Sequence, residues 1–279
     1  MSVLKAGLIG EHISRTRLPA ALDIMCKMHG LTLEFELIDT ATRPGFDFTA
    51  TVDGLRAAGW TGVTVTHPYK THAASYAGDG MLPELQGLGA SNTLIFDDPL
   101  SGHNTDFTGF ISAFKAFGYG AVGDVVMIGA GGVARAIGPA IAQFLVMNGK
   151  IAIYDRDMKL AKSLAAAIGE TARAVTEDEL PKKVEWAEGL INATPMGMVE
   201  YPGSAFDRRL FSEYQNWAFD AVYTPTDTQF LIDARAAGMD VLTGFSLFQH
   251  MALGTFAAYT GIIPDAETVL PKLDTLRPE

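Results

Sequence analysis

The chain has 279 residues, 48% hydrophobic and 19% charged, which are ordinary values for one or two globular domains with ample core. A formal net charge of −11 argues against nucleic acid as a partner, since phosphate binding needs clustered Lys and Arg. The lone cysteine, Cys26, excludes an internal disulfide and suits a reducing compartment.

The opening residues, Met-Ser-Val-Leu-Lys-Ala-Gly, lack a basic segment ahead of an apolar core, so no signal peptide is expected. Residues 6–9 read as a short strand, 18–29 as a helix stopped by Gly30, and 31–38 as an alternating strand. An amphipathic helix over 46–58 stops at Gly59, and 62–66 form a β-branched strand. A helix over 69–76 and a strand over 92–96 follow. None of these strands runs into a glycine-rich turn, so this half is the candidate for holding a substrate.

A helix over 105–118 leads into the second half. There a buried strand from Asp124 runs into Gly129, Ala130, Gly131, Gly132, Val133 and Ala134, then into an apolar helix. Gly129, Gly131 and Ala134 fit the G-x-G-x-x-G/A fingerprint, in which glycines let backbone approach a pyrophosphate and the helix N-terminus offers N–H groups to it. The same turn would also serve a Rossmann-like domain with another ligand. A second strand over 150–155 ends in Asp155, 23 positions after Gly132, where an acid can accept hydrogen bonds from a ribose diol. That combination favours a dinucleotide.

Later strands are expected at 189–192 and 217–222, with helices at 246–260 and 265–273. The apolar run over 245–263 contains Gln249, His250 and Thr255 and reads as a packed helix, not a membrane span. The expected architecture is α/β: an N-terminal substrate domain (1–104), a Rossmann-type dinucleotide-binding domain (105–244), and helices over 245–279 packing back on the first. A cytoplasmic location, and a monomer or homodimer, are expected.

Ligands of open α/β sheets bind beyond the carboxyl ends of the strands. The residues there are Glu11, Ser14 and Thr16 after the first strand, His67 to Lys70 after the strand at 62–66, and Asn92, Thr93 and Asn104 to Asp106 where the chain leaves this half. Taken alone, Lys70 suits a solvated first-turn lysine and Asp106 a helix N-terminal acid, while Ser14 and Thr16 suit N-caps. The six histidines show no H-x-x-x-H spacing, so no metal site is expected.

Several ordered motifs resemble the shikimate and quinate dehydrogenases across almost the whole chain. They are Gly7-Leu8-Ile9-Gly10 with Ser14-Arg15-Thr16; Gly62 to Lys70; Gly89-Ala90-Ser91-Asn92-Thr93; and Gly102-His103-Asn104-Thr105-Asp106. The glycine turn, Asn192-Ala193-Thr194-Pro195-Met196-Gly197, and Asp220-Ala221-Val222-Tyr223 with Pro225 complete the set. The resemblance implies two α/β domains around a cleft, a cyclic polyol carboxylate as substrate, and hydride exchange between nicotinamide and a carbinol carbon, as in aromatic amino acid biosynthesis.

By motif position, Lys70 and Asp106 would be the catalytic pair that handles the hydroxyl proton. Ser14 and Thr16 would receive the substrate carboxylate, with Thr66, Asn92, Tyr223 and Gln249 as further substrate-facing residues. Thr194, Met196 and Gly244 would serve the cofactor beside the glycine turn.

Two departures bear on the substrate. Thr64 stands where the family usually has Asn, and Met251 where it usually has Gln; Gln249, two places earlier, is turned about 200° around the helix. These changes leave open a different ring acid as substrate, and a non-catalytic cofactor-binding sensor is the remaining alternative. For the cofactor, Asp155-Arg156-Asp157 replaces the Asn-Arg-Thr typical of NADP users. Carboxylates suit a ribose diol and repel a 2′-phosphate, so NAD is favoured, with NADP possible because of Arg156.

Overall fold

A computed structural model of the chain describes residues 2–278, which divide into two compact units: 2–109 with 251–276, and 110–250 with 277–278.

The first unit begins with β1 (Val3–Gly10), α1 (Leu18–Met28), β2 (Thr32–Asp39), α2 (Phe48–Ala57), β3 (Gly62–Val65) and α3 (Lys70–Ala77), then β4 (Thr93–Ile95), β5 (Ser101–His103) and the start of α4 (Thr105–Ala116). The strands lie in the order β2-β1-β3-β4-β5. β1 pairs in parallel with β2 and β3, whereas β4 is antiparallel to both β3 and β5. β1 is three residues longer at its start than the sequence suggests, because its partner β2 continues alongside from Val3↔Thr32.

This topology puts four chain segments in a row at one sheet edge. The carboxyl ends of β1, β3 and β5 and the amino end of β4 all emerge there, since reversing β4 brings its start beside the end of β3. Backbone bonds stitch the row together: Thr66 N donates to Ile9 O (2.9 Å), Val65 N to Asn92 O (2.7 Å) and Asn92 N to His103 O (3.0 Å).

The second unit is built on β6 (Val125–Ile128), α5 (Ala134–Ala142), β7 (Ile151–Tyr154), α6 (Met158–Ile168), β8 (Ala172–Ala174), α7 (Leu180–Glu185), β9 (Gly189–Asn192), β10 (Trp217–Asp220), α8 (Gln229–Ala236) and β11 (Asp240–Thr243). The sheet is parallel throughout and ordered β8-β7-β6-β9-β10-β11. Numbered from its own first strand this is the 3-2-1-4-5-6 order of a Rossmann fold, with the reversal point between β6 and β9. The central strands are buried on both faces, which is why they read as continuous apolar runs and not as alternating ones. Val126, Leu190 and Ala218 pack with Phe230 and Leu231 of α8 in one core cluster.

Two helices close the chain, α9 (Gly244–Thr260) and α10 (Ala266–Leu273), and α10 packs on α1. No helix among the described residues is long and apolar enough to cross a membrane.

Candidate active site

Lys70 is the first residue of α3 and Asp106 the second of α4. Lys70 Nζ lies 2.6 Å from Asp106 Oδ2, with the two side chains 18% and 15% exposed. A cation at a helix N-terminus opposes the dipole, so the carboxylate stabilises Lys70 where α3 does not. Charge-assisted bonds of this length are strong and directional.

The segment Ala90–Ser91–Asn92 holds both helix starts. Ser91 N donates to Lys70 O (2.9 Å), and Ser91 Oγ donates to His103 O (2.8 Å). Asn92 is 2% exposed. Its Oδ1 accepts from Thr105 N (2.7 Å), and its Nδ2 reaches Thr105 Oγ1 at 2.9 Å. Asn104 caps α4 by accepting from Phe107 N (3.1 Å) and ties back to Ala90 O through Nδ2 (3.0 Å). Thr105 Oγ1 then meets Thr255 Oγ1 of α9 at 2.9 Å. Thr105 is a motif residue and Thr255 a polar break in the apolar run over 245–263, but nothing in the sequence signals that the two meet.

The remaining candidates of this unit sit on neighbouring turns. Ser14 is exposed on a 3-10 turn, Ile13–Arg15, held by the Asp39 carboxylate, which accepts from His12 N (3.0 Å) and Ile13 N (3.3 Å). Thr16 is half-buried, and its hydroxyl accepts from Leu18 N at 3.3 Å in the turn that leads into α1. Thr66, also half-buried, begins the turn after β3, and Glu11 N donates to His67 O (3.0 Å) to join the turns after β1 and β3.

Thr64 is 5% exposed, and its hydroxyl is bonded to Tyr259 Oη at 2.7 Å. The change from the family's usual Asn is therefore matched inside the protein. Met251 packs against α4, where a side chain on Gly109 would come within 2.8 Å of the Met251 backbone.

In the second unit the turn after β6 carries the glycines. Gly129 has φ +102°, and a Cβ there would lie 2.7 Å from the Ala193 carbonyl, so only glycine fits. Gly131 and Gly132 are exposed, and a Cβ on either would meet nothing within 4 Å. Open backbone at the start of a nine-residue helix, at the sheet's reversal point, fits the diphosphate of a dinucleotide. Val133 is half-buried and Ala134 buried as α5 begins.

Asp155 Oδ2 accepts from Ala130 N (2.8 Å) and Oδ1 from Asp157 N (2.8 Å), which fixes the acid against the turn, while Arg156 is exposed. Thr194 Oγ1 donates to Asn192 Oδ1 (2.7 Å) and accepts from Met196 N (3.1 Å); Met196 is exposed. Gly244 opens α9 where a side chain would strike the Ala221 carbonyl at 2.5 Å, so its absence has a packing reason. Tyr223 stacks on Phe248 with ring centroids 5.8 Å apart, and Gln249 is buried in α9. Both belong to this unit.

Asp220 stands in one of the sequence motifs, but no role of its own was legible there. It is fully buried, and burial pushes its carboxyl up to about 7 even though three hydrogen bonds act in the opposite direction. A carboxylate closing an apolar strand was the available signal.

Comparison with known proteins bears on the family and the fold. The family model described as "Shikimate dehydrogenase substrate binding domain" matches residues 8–94. The chain is 37% identical over 273 residues to a quinate/shikimate dehydrogenase (NAD(+)) of Corynebacterium efficiens, with 94% of each protein covered. The solved quinate dehydrogenase of Corynebacterium glutamicum in complex with NAD superposes with a TM-score of 0.91 at 32% identity, covering 98% of this chain and 99% of that one. The shikimate 5-dehydrogenase of Thermus thermophilus, solved with NADP(H) and shikimate, gives a TM-score of 0.84 at 30% identity, with 99% of each chain covered.

Proposed function

The chain belongs to the quinate/shikimate dehydrogenase family, and from that premise we propose that it prefers NAD and uses Lys70 and Asp106 to move the proton of a ring hydroxyl. It is an NAD(P)-dependent oxidoreductase that interconverts a hydroxyl and a ketone on a cyclic polyol carboxylate of the quinate or shikimate type. The nicotinamide, when bound, accepts or supplies the hydride.

The chain's own residues manage the rest. In oxidation, the hydroxyl proton passes to the Lys70–Asp106 pair as hydride leaves the same carbon; in reduction, the pair returns a proton to the developing alkoxide. The 2.6 Å contact between the two groups supports this above any other observation, because it concentrates a donor and an acceptor on two helix starts at one sheet edge. Ser14 and Thr16, on the adjoining turn, bring hydroxyls to the substrate carboxylate without adding a second cation. Thr66 begins the neighbouring turn and contacts the ring hydroxyls. Asn92 acts first by fixing the start of α4, and so the direction of Asp106.

Cofactor preference rests on the acids after β7. Asp155, held by Ala130 N, presents a carboxylate where a ribose diol donates and a 2′-phosphate is repelled. Turnover of quinate and shikimate with NAD and with NADP, measured for wild type and Lys70→Ala, tests the whole assignment. Quinate or shikimate oxidation with NAD that disappears in the variant is the expected result. Full turnover by Lys70→Ala, or faster turnover with NADP at equal low concentration, would defeat the corresponding part.

A further inference from the structure

The turn from Thr194 to Gly197 leaves β9 at the reversal point of the Rossmann sheet, and both of its ends rest on one buried acid. Asn192, the last residue of β9, donates through Nδ2 to Asp220 Oδ1 at 2.9 Å. That bond decides which way the Asn192 amide faces. With Nδ2 committed to Asp220 and to Met196 O (2.9 Å), Oδ1 is left to accept from Thr194 N (3.0 Å) and Thr194 Oγ1 (2.7 Å). Thr194 Oγ1 in turn accepts from Met196 N.

At the other end of the turn, Gly197 has φ +108° and packs against Thr228, where a Cβ would lie 3.2 Å from the threonine side chain. Thr228 donates to Asp220 Oδ2 at 2.6 Å and caps α8 by accepting from Leu231 N (3.3 Å). Asp220 Oδ1 also accepts from Val222 N (2.9 Å), at the start of the segment that carries Tyr223. Three donors from three segments converge on one side chain that makes none of these contacts with a cation.

We propose that Asp220 is a positioning residue for cofactor binding: through Asn192 and Thr228 it fixes the Thr194–Gly197 turn against which the nicotinamide end of NAD(P) is held. This rests on assigning that turn to the nicotinamide side of the cofactor. Asp220 touches no reacting atom in this scheme. It acts by setting an amide orientation and bracing a glycine turn, a role that shape and hydrogen bonding can fill without negative charge.

The test is the Kd of NADH, followed by fluorescence in the absence of ring acid, for Asp220→Ala, Asp220→Asn, Thr228→Val and Thr194→Val in the full chain. Asp220→Ala and Thr228→Val should weaken binding about tenfold or more, the size expected for losing one or two buried hydrogen bonds, and in Thr228→Val, which leaves the Asp220–Val222 bond in place, the KM for the ring acid stays unchanged. Asp220→Asn should restore nearly wild-type binding, because its oxygen can accept from Asn192 and Val222 while its amide donates to Thr228 Oγ1. If Asp220→Ala does not fold, Thr228→Val decides, since it removes one brace and leaves the acid in place.

Wild-type affinity in both Asp220→Ala and Thr228→Val overturns the proposal, as does equal damage by Asn and Ala, which would make charge the relevant property. Thr194→Val separates the two levels. If it weakens binding while the Asp220 variants do not, the turn serves the cofactor but Asp220 does not position it. If Thr194→Val has no effect, the nicotinamide-side assignment fails and takes this route with it.

Discussion

Thr64 and Tyr259, 195 positions apart in the chain, share a buried hydrogen bond of 2.7 Å that fastens α9 to β3. Burial pushes the Tyr259 hydroxyl pKa upward, which keeps it a neutral donor or acceptor at any physiological pH. Thr64→Val strands the tyrosine hydroxyl and Tyr259→Phe strands the threonine hydroxyl, each at a cost of about 1–3 kcal/mol. The double variant should cost less than the sum, because no polar group is then left unpaired. Denaturant unfolding of the four proteins gives the coupling, and strict additivity would show that the bond contributes nothing.

Lys70→Ala and Asp106→Asn should each lower kcat by about 10²- to 10⁴-fold, the usual range for losing positioned proton transfer. Acting as the unit proposed above, the pair should make the double variant little worse than either single one. NADH affinity should be unaffected in all three. Kinetics with saturating cofactor will reveal whether the losses multiply, which would mean separate roles.

Asp155→Asn keeps the size and one acceptor of the side chain but removes its charge. A hydrogen bond to a charged acceptor is worth about 1.5–3 kcal/mol, so the ratio of kcat/KM for NAD over NADP should fall by about tenfold or more. An unchanged ratio would assign cofactor choice to other residues.

Asp220 gives stability a pH slope of definite sign. Its carboxyl has an ordinary value of 3.8 and is pushed up to about 7 in the folded protein by burial. Between those values the folded chain keeps a proton that the unfolded chain has released. Stability contributed by this group is therefore present below pH 4 and lost as pH rises towards 7 and beyond, a change on the order of a few kcal/mol. Its direct partners, Asn192, the Val222 N–H and Thr228, do not titrate in this range. Thermal unfolding from pH 5 to pH 8 should show a downward component in wild type that Asp220→Asn lacks.

Cys26 is fully buried in α1, and its thiol is pushed up to about 11, first by burial and then by the nearby Asp23 charge. The thiolate is the reactive form, so a disulfide-exchange reagent at pH 8 should label the native protein only as fast as the chain unfolds. Rapid stoichiometric labelling without denaturant would contradict that.

The alternation of strands and helices was legible because buried parallel strands such as β6 and β9 are short apolar runs between clear breaks. β5, β8 and β11 were not, because three or four residues such as Ala172–Ala174 carry no usable period and become strands only through their neighbours. Lys70 and Asp106 were found through ordered motifs. Their approach to 2.6 Å depends on Ser91, Asn92 and Asn104 bonding across strands, which no local pattern encodes. Thr64 was expected to reshape the substrate pocket, and only the position of Tyr259 reveals that its hydroxyl is already engaged. Asp220 was visible as a motif residue but without a role, because its three donors come from residues 192, 222 and 228.

The row of strand ends in the first unit also sorts positions by how freely they can be redesigned. Ser14, Thr16 and Thr66 stand on turns with exposed or half-buried side chains, so a library directed there could retune which ring acid is accepted while the sheet keeps its register. Thr64, Asn92 and Thr105 are interlocked below that surface, and mutating them gambles with foldability before any new selectivity can emerge. Laboratory evolution of this scaffold should accordingly begin at the first three sites and leave the second three alone.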